Sequence, residues 1–371
     1  SCSKDDDDDV LRDGEGVIMF VTKAKSLPLQ GGGGEDYLLL ETFNEGEKIT
    51  VDWGDGWGEE EYVSVKNEYK DEDGEIEVYY EINAQHTYTD GKSSHTVTVR
   101  GKIEYFSVSH CKVTSIDATK CSALEELRCG GNQLTSLDVS GCTALKVLDC
   151  FDNKLASLDV SKNTVLKELY CDYNQLTSLD VSKNTALEWL GCYCNQLTSL
   201  NASGCTALRG LSCSDNQLIS LNVSGCTALE DLDCGRNKLT SLNVSGCTAL
   251  EDLSCFNNQL TSLDVSKNTA LEKLQCKDNQ LTSLDVSKNT ALEKLQCKDN
   301  QLTSLDVSKN TALHRLECYD NQFSASAMNK IYNDLPQGRV DEEGYRSRLE
   351  CNKLGDYSIA ENKGWDVQLI N

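Results

Sequence analysis

The chain has 371 residues, with 60 Asp/Glu against 35 Lys/Arg and a formal charge of −25. That charge excludes a reader of phosphate backbones, which needs a basic footprint. No segment approaches the run of roughly 20 apolar residues that spans a bilayer, and with only Pro28 and Pro336 there is no long proline-rich linker.

Residues 1–15, SCSKDDDDDVLRDGE, are too polar to bury a core and are expected to form a disordered acidic linker. Acid excess is concentrated towards this end: residues 1–110 hold 26 Asp/Glu and 10 Lys/Arg. Over 16–102 the texture changes. Segments 17–21, 37–41, 48–53, 77–82 and 95–100 alternate as strands do. Gly31 to Gly34, Asp55-Gly56, Asp73-Gly74 and Asp90-Gly91 supply the turns between them. Short strands at this spacing predict a β-sandwich. Asp52 and Asp55 in one of these turns are too few carboxylates for a calcium shell.

From Leu124 to Phe323 a 21-residue unit returns ten times, and 271–291 and 292–312 are identical copies, LEKLQCKDNQLTSLDVSKNTA. A fixed period of this size predicts a solenoid in which each unit contacts only its neighbours. Leu124, Leu127, Cys129, Leu134, Leu137 and Val139 define the inward set of the first unit. An Asn recurs at one corner, from Asn132 to Asn321, where its amide can satisfy loop backbone groups. The opposite corner alternates between Asn (as at Asn163) and Cys (as at Cys142). A degenerate unit precedes these, because Phe106, Val108 and Cys111 lie one period before Leu127, Cys129 and Asn132. The repeat domain is therefore 103–323, one degenerate unit plus ten.

Nineteen cysteines suggest a disulfide framework until their positions are read. Ten of them, from Cys129 to Cys318, keep the repeat period and stand where Leu would complete an inward strand. Stacked strands about 4.8 Å apart carry parallel Cβ vectors, which suit a disulfide poorly. Each is expected to be a small buried hydrophobe, with Cys194 as the outward exception. Beyond Phe323 the spacing of Ala325, Met328, Ile331, Tyr332 and Leu335 is helical, with Ser324 as N-cap and Pro336 beyond the end. A second helix over 357–363 and a strand over 365–371 complete an expected C-terminal cap, 324–371.

Three resemblances follow from these residues. VDWGDG (51–56) with HTYTDGKSSHTVTVRG (86–101) resembles the PKD-like domain, an immunoglobulin-like module of surface proteins; this implies a spacer or adhesion role. The nested halves LxxLxCxxNx and LxxLDVSxNxx resemble the 21-residue bacterial class of leucine-rich repeats. Cys2-Ser-Lys followed by five aspartates resembles the mature start of a Bacteroidetes-type surface lipoprotein. That implies a lipid on Cys2, membrane contact only through this anchor, and display on the outer membrane. The expected fold is mainly β: an immunoglobulin-like sandwich, a leucine-rich-repeat solenoid and a helical cap.

Comparison among the repeats separates scaffold from candidate surface. LTSLDVS scarcely changes, whereas the outward positions of the LxxLxC half change freely. Phe151, Tyr170, Tyr173, Trp189 and Tyr193 gather there and form a candidate ligand platform. His86, His95, His110 and His314 are expected on domain edges or in solvent, His86 in a structural role within the HTY segment of the PKD-like resemblance, and none joins a Ser/His/Asp arrangement. The expectation is a monomeric, non-enzymatic cell-surface binding or adhesion protein for a host protein or a glycan. It needs no cofactor or metal and takes no nucleic acid. A structural spacer without a specific ligand is the alternative, favoured by the identical copies.

Overall fold

The computed structural model describes residues 16–27, 38–70, 76–340 and 346–370. Cys2, the aspartate run and Gly31 to Gly34 lie outside them. The chain forms two compact units, Ser1–Leu176 and Thr177–Asn371.

In the first unit the strands are β1 (Gly16–Thr22), β2 (Ser26–Leu27), β3 (Leu39–Thr42), β4 (Lys48–Asp52), β5 (Glu59–Val63), β6 (Val65–Lys70) and β7 (Ile76–Ile82). They continue with β8 (His86–Thr87), β9 (His95–Gly101), β10 (Tyr105–Ser107), β11 (Val113–Asp117), β12 (Glu126–Arg128), β13 (Val147–Asp149) and β14 (Glu168–Tyr170). One sheet runs β11-β1-β9-β4-β5. A second carries β14, β13, β12 and β10 in parallel and then turns antiparallel through β3, β7 and β6. The degenerate repeat is thus split: its first strand, β10, joins one sheet, and its second, β11, pairs antiparallel with β1 in the other. Phe20 of β1 and Phe106 of β10 meet edge-on at 5.7 Å, so the two sheets share one apolar interior.

The WGDG and HTY segments fold into a stack of rings. Trp53 is buried and stacks on His86 at 4.9 Å, and Tyr88 stacks on His95 at 3.6 Å. His86 lies 3.0 Å from the Asp55 carboxylate without the alignment of a hydrogen bond, and His95 reaches Asp90 at 2.9 Å. The expectation of edge or solvent histidines fails here: His95 is 4% exposed. Alternation had placed it at the start of a strand, but the ring stack gives that strand end a covered side. Asp52 and Asp55 each accept the backbone N–H two residues on, at 2.9 and 3.0 Å, so both carboxylates shape turns.

In the second unit the outward-half strands are β15 (Trp189–Gly191), β17 (Gly210–Ser212), β19 (Asp231–Asp233), β20 (Asp252–Ser254), β21 (Lys273–Gln275), β22 (Lys294–Gln296) and β23 (Arg315–Glu317). They pair in parallel, and β16 (Ser199–Asn201) with β18 (Ser220–Asn222) form a short second ladder on the LTSLDVS side. The capping helix α1 (Ala325–Asp334) starts where Ser324 Oγ accepts from Ala327 N. After it, β24 (Arg348–Asn352) rejoins the ladder beside β23, followed by α2 (Ser358–Asn362) and β25 (Asp366–Ile370).

The repeat interior explains the invariant letters. Leucines and valines of the inward set are buried, apart from the half-buried Leu221, and so are the ten periodic cysteines, all of them free thiols. Burial raises their pKa, Cys150, Cys213 and Cys297 among them. Each corner Asn is a backbone substitute. Asn216 Nδ2 donates to Cys192 O, Cys213 O and Ser214 O, and its Oδ1 accepts from Leu197 N at 2.9 Å. At the opposite corner Asn289 donates to Val265 O and Asn268 O, while its buried Oδ1 has no partner. Cys226 donates to Ala202 O from the same place in its turn and brings no orphan acceptor, which accounts for the free exchange of Asn and Cys there. The LDVS aspartates also have a backbone task. Asp159, Asp264 and Asp285 accept from Ser161, Ser266 and Ser287 N, and these serines hold the three carboxyls below their usual pKa.

Candidate binding face

The outward side of the LxxLxC strands is built rung by rung. In a strand, successive side chains point to opposite faces, so the Leu of each short strand is buried while the residues on either side of it face out. In the first unit these are Glu126 and Arg128, Val147 and Asp149, Glu168 and Tyr170, aligned by parallel pairing. Tyr170 donates to Glu168 Oε2 at 3.1 Å, and Arg128 sits between Glu126 and Asp149. Towards β3 the face becomes acidic. Burial, with the Glu126, Glu104 and Glu81 carboxylates around it, pushes Glu41 up to about 7.

Beyond each strand the chain turns through a residue in the left-handed region. These are His110, Gly131, Asp152 and Tyr173 in the first unit, and Cys194, Asp215, Arg236, Asn257, Asp278, Asp299 and Asp320 in the second, all with φ of 47° to 66°. Gly, Asn and Asp tolerate that conformation; a tyrosine or an arginine is strained in it. Tyr173 occupies it while 49% exposed.

Of the five candidate aromatics, the first unit holds Phe151, Tyr170 and Tyr173 and the second holds Trp189 and Tyr193. Only Tyr170 and Trp189 stand on strands; the other three lie in the turns that follow. Phe151 covers Gly130, where an added Cβ would come within 2.2 Å of the ring, and it meets His110 edge-on at 5.8 Å. Trp189 covers Gly210 in the same way and remains 37% exposed. Phe256, which the sequence reading passed over, covers Gly235 and lies between Arg236 and Lys277 at 5.6 and 5.3 Å. It stands five periods after Phe151, so its register was available. These rings fill gaps left by glycine on a neighbouring rung while keeping surface open to a ligand.

Residues 122–163 match the family model described as leucine-rich repeats (2 copies). These are leucine-rich repeats. Among solved structures, the functional domain of InlJ from Listeria monocytogenes, described as including a cysteine ladder, is 38% identical with a TM-score of 0.57; the match covers 60% of this chain and 50% of that one. The internalin inlF of Listeria monocytogenes has a TM-score of 0.57 at 22% identity, over 72% of this chain and 87% of that one. A leucine-rich-repeat protein of Leptospira interrogans follows at 0.54 and 22%, over 68% and 74%. The latter two show the fold alone. The chain spans half the length of the InlJ domain. Comparison with curated proteins found no match. Together these describe a mainly β protein with few helices and a leucine-rich-repeat solenoid of about 12 turns, and no catalytic family is indicated. Among the described residues no group of three His, Cys, Asp or Glu side chains is placed to hold a metal ion.

Proposed function

We propose that this is a non-enzymatic binding protein of the cell exterior, whose leucine-rich repeats present the outward LxxLxC face to a host protein or a glycan. One observation carries the reading. A rigid scaffold with invariant interior letters displays, on one side only, positions that change from rung to rung, and several of these hold partly exposed aromatics. Tyr173 adds to it, because a strained residue with an exposed ring is kept where Asp, Asn or Gly would relax the turn. The similarity to internalin structures supports a partner-binding role, with protein as the first class to test. In the same reading 16–102 is a PKD-like, immunoglobulin-like spacer, 103–323 the binding domain and 324–371 its cap. Cys2 carries a lipid that fixes the monomer to the outer membrane surface.

Glycan and extracellular-matrix arrays probed with the intact chain test this. Loss of an array signal in Tyr170→Ala or Trp189→Ala supports it; a signal that both variants retain removes the aromatic face from the site. The alternative, a spacer without a specific ligand, is favoured by the identical units 271–291 and 292–312. It predicts an array with no saturable signal at all. Replacing Cys2 by Ala in the full-length precursor should release the protein from membranes.

A further inference from the structure

The outward cations of the second unit form rows. Lys273, Lys294, Arg315 and Arg348 stand in register on the neighbouring parallel strands β21 to β24. At a strand spacing of about 4.8 Å they place one cation on every rung over roughly 15 Å. Four residues further along, Lys277 and Lys298 begin a second row, with Gln275 and Gln296 between the two. Duplication accounts for Lys273 and Lys294. It does not account for the step from Lys294 to Arg315, where the surrounding letters have changed and the charge has stayed.

Like charges directly opposite on neighbouring strands repel. Elsewhere in this unit carboxylates answer the two outward arginines: Glu230 pairs Arg209 at 2.9 Å and Asp215 pairs Arg236 at 3.4 Å, while Lys238 reaches Gln217 instead. Within the rows, Asp252 pairs Lys273 at 3.3 Å, Glu317 pairs Arg315 at 2.8 Å and Glu350 pairs Arg348 at 3.0 Å. Among the described residues, Lys294 in the middle of its row and Lys277 have no carboxylate at ion-pair distance.

We infer that this double row docks an acidic α-helix of a protein partner, one with Asp or Glu repeated at i, i+4 and i+7. The inference rests on the outward face being the binding face, but not on the aromatic residues. A helix repeats every 5.4 Å or so, close to the rung spacing of about 4.8 Å, whereas an extended strand presents same-face side chains only about every 6.7 Å. Glu251, Glu272 and Glu293 flank one row in sequence, and Asp278 and Asp299 the other. A broad polyanion such as nucleic acid or a sulfated glycan would meet these acids as well as the lysines. A single narrow acidic stripe avoids them.

The test uses the intact chain and a fluorescent alanine-rich helical peptide with four Glu on one face. A peptide of the same composition with Glu spread round the helix is the first comparison; labelled heparin and duplex DNA are the others. The sorted peptide should bind at least about tenfold more tightly than the scrambled one and lose about tenfold in Lys277→Gln/Lys294→Gln. It should bind Tyr170→Ala as it binds the unaltered chain. Circular dichroism melts confirm that the double variant, altered only at surface lysines, is folded. Equal binding of both peptides overturns the inference, as does no binding of the sorted one. Lysine-dependent capture of heparin or DNA without the peptide overturns it in favour of a polyanion. If it fails while an array ligand is still lost in Tyr170→Ala, the binding-face reading survives; if no ligand depends on any outward residue, both fall.

Discussion

The two halves of each repeat are under different demands. The LTSLDVS half commits its aspartate to the backbone, where it caps the turn by accepting from the N–H of the serine two residues on. The LxxLxC half commits only its Leu, its Cys and its corner Asn to the scaffold, and the residues between are free to vary. One sequence period therefore contains a side that cannot change cheaply and a side that can.

The sharpest way to break this contrast is to alter a scaffold residue that lies on the variable side. Asn216→Ala should cost on the order of 3 kcal/mol in urea denaturation, because it strands Leu197 N–H and buried carbonyls together. A cost near that of an exposed substitution would show that the corner amide is dispensable. At Tyr173 the sign should reverse. Tyr173→Asn relaxes a left-handed turn and should raise stability by about 1 kcal/mol. If the ring serves recognition, the gain in melting temperature comes with a loss of ligand; a gain alone marks Tyr173 as drift.

Acid and base should separate the two sides further. Asp159, Asp264 and Asp285 have folded pKa values below the unfolded ones, so their contribution is present above the ordinary Asp range and is lost as pH falls through the folded values. Glu41 runs the other way. Raised to about 7, it contributes fully below its ordinary value of 4.5 and loses that contribution as pH rises through the folded value. Glu41→Gln should then raise the melting temperature near pH 8 and leave it unchanged near pH 4. Equal shifts at both would mean that the carboxylate cluster does not couple. The smallest effect is kinetic: under native conditions a thiol reagent should label Cys194 first among residues 16–370 and leave the periodic cysteines until unfolding. Fast native labelling of several would refute their burial.

The repeat interior was legible because a fixed period turns each position into many readings of the same environment. The ends were harder. β5 and β6 went unread because EEEYV and VKNEYK lack an apolar alternation, and both strands are largely exposed. β24 was missed although its RLEC copies the RLEC of 315–318; the intervening helix hid the return to the ladder. On the candidate face, the aromatic positions were readable but their roles were not. Phe151, Trp189 and Phe256 each cover a glycine one period away, and that partnership appears only once rungs are stacked. Tyr173 groups in the sequence with the outward positions of the LxxLxC half, yet its place just before the corner Asn puts it in a left-handed turn.

The identical units at 271–291 and 292–312 make the length of this protein adjustable in whole steps. Excising one copy would bring Lys294 beside Asp252 in place of Lys273 and leave every junction with a sequence it already accommodates. The shortened chain would carry three cations in its row where four now stand, with no change to the interior. Reach and row length would then be set by counting copies, and kin of this chain that differ by multiples of 21 residues would be graded versions of one tool.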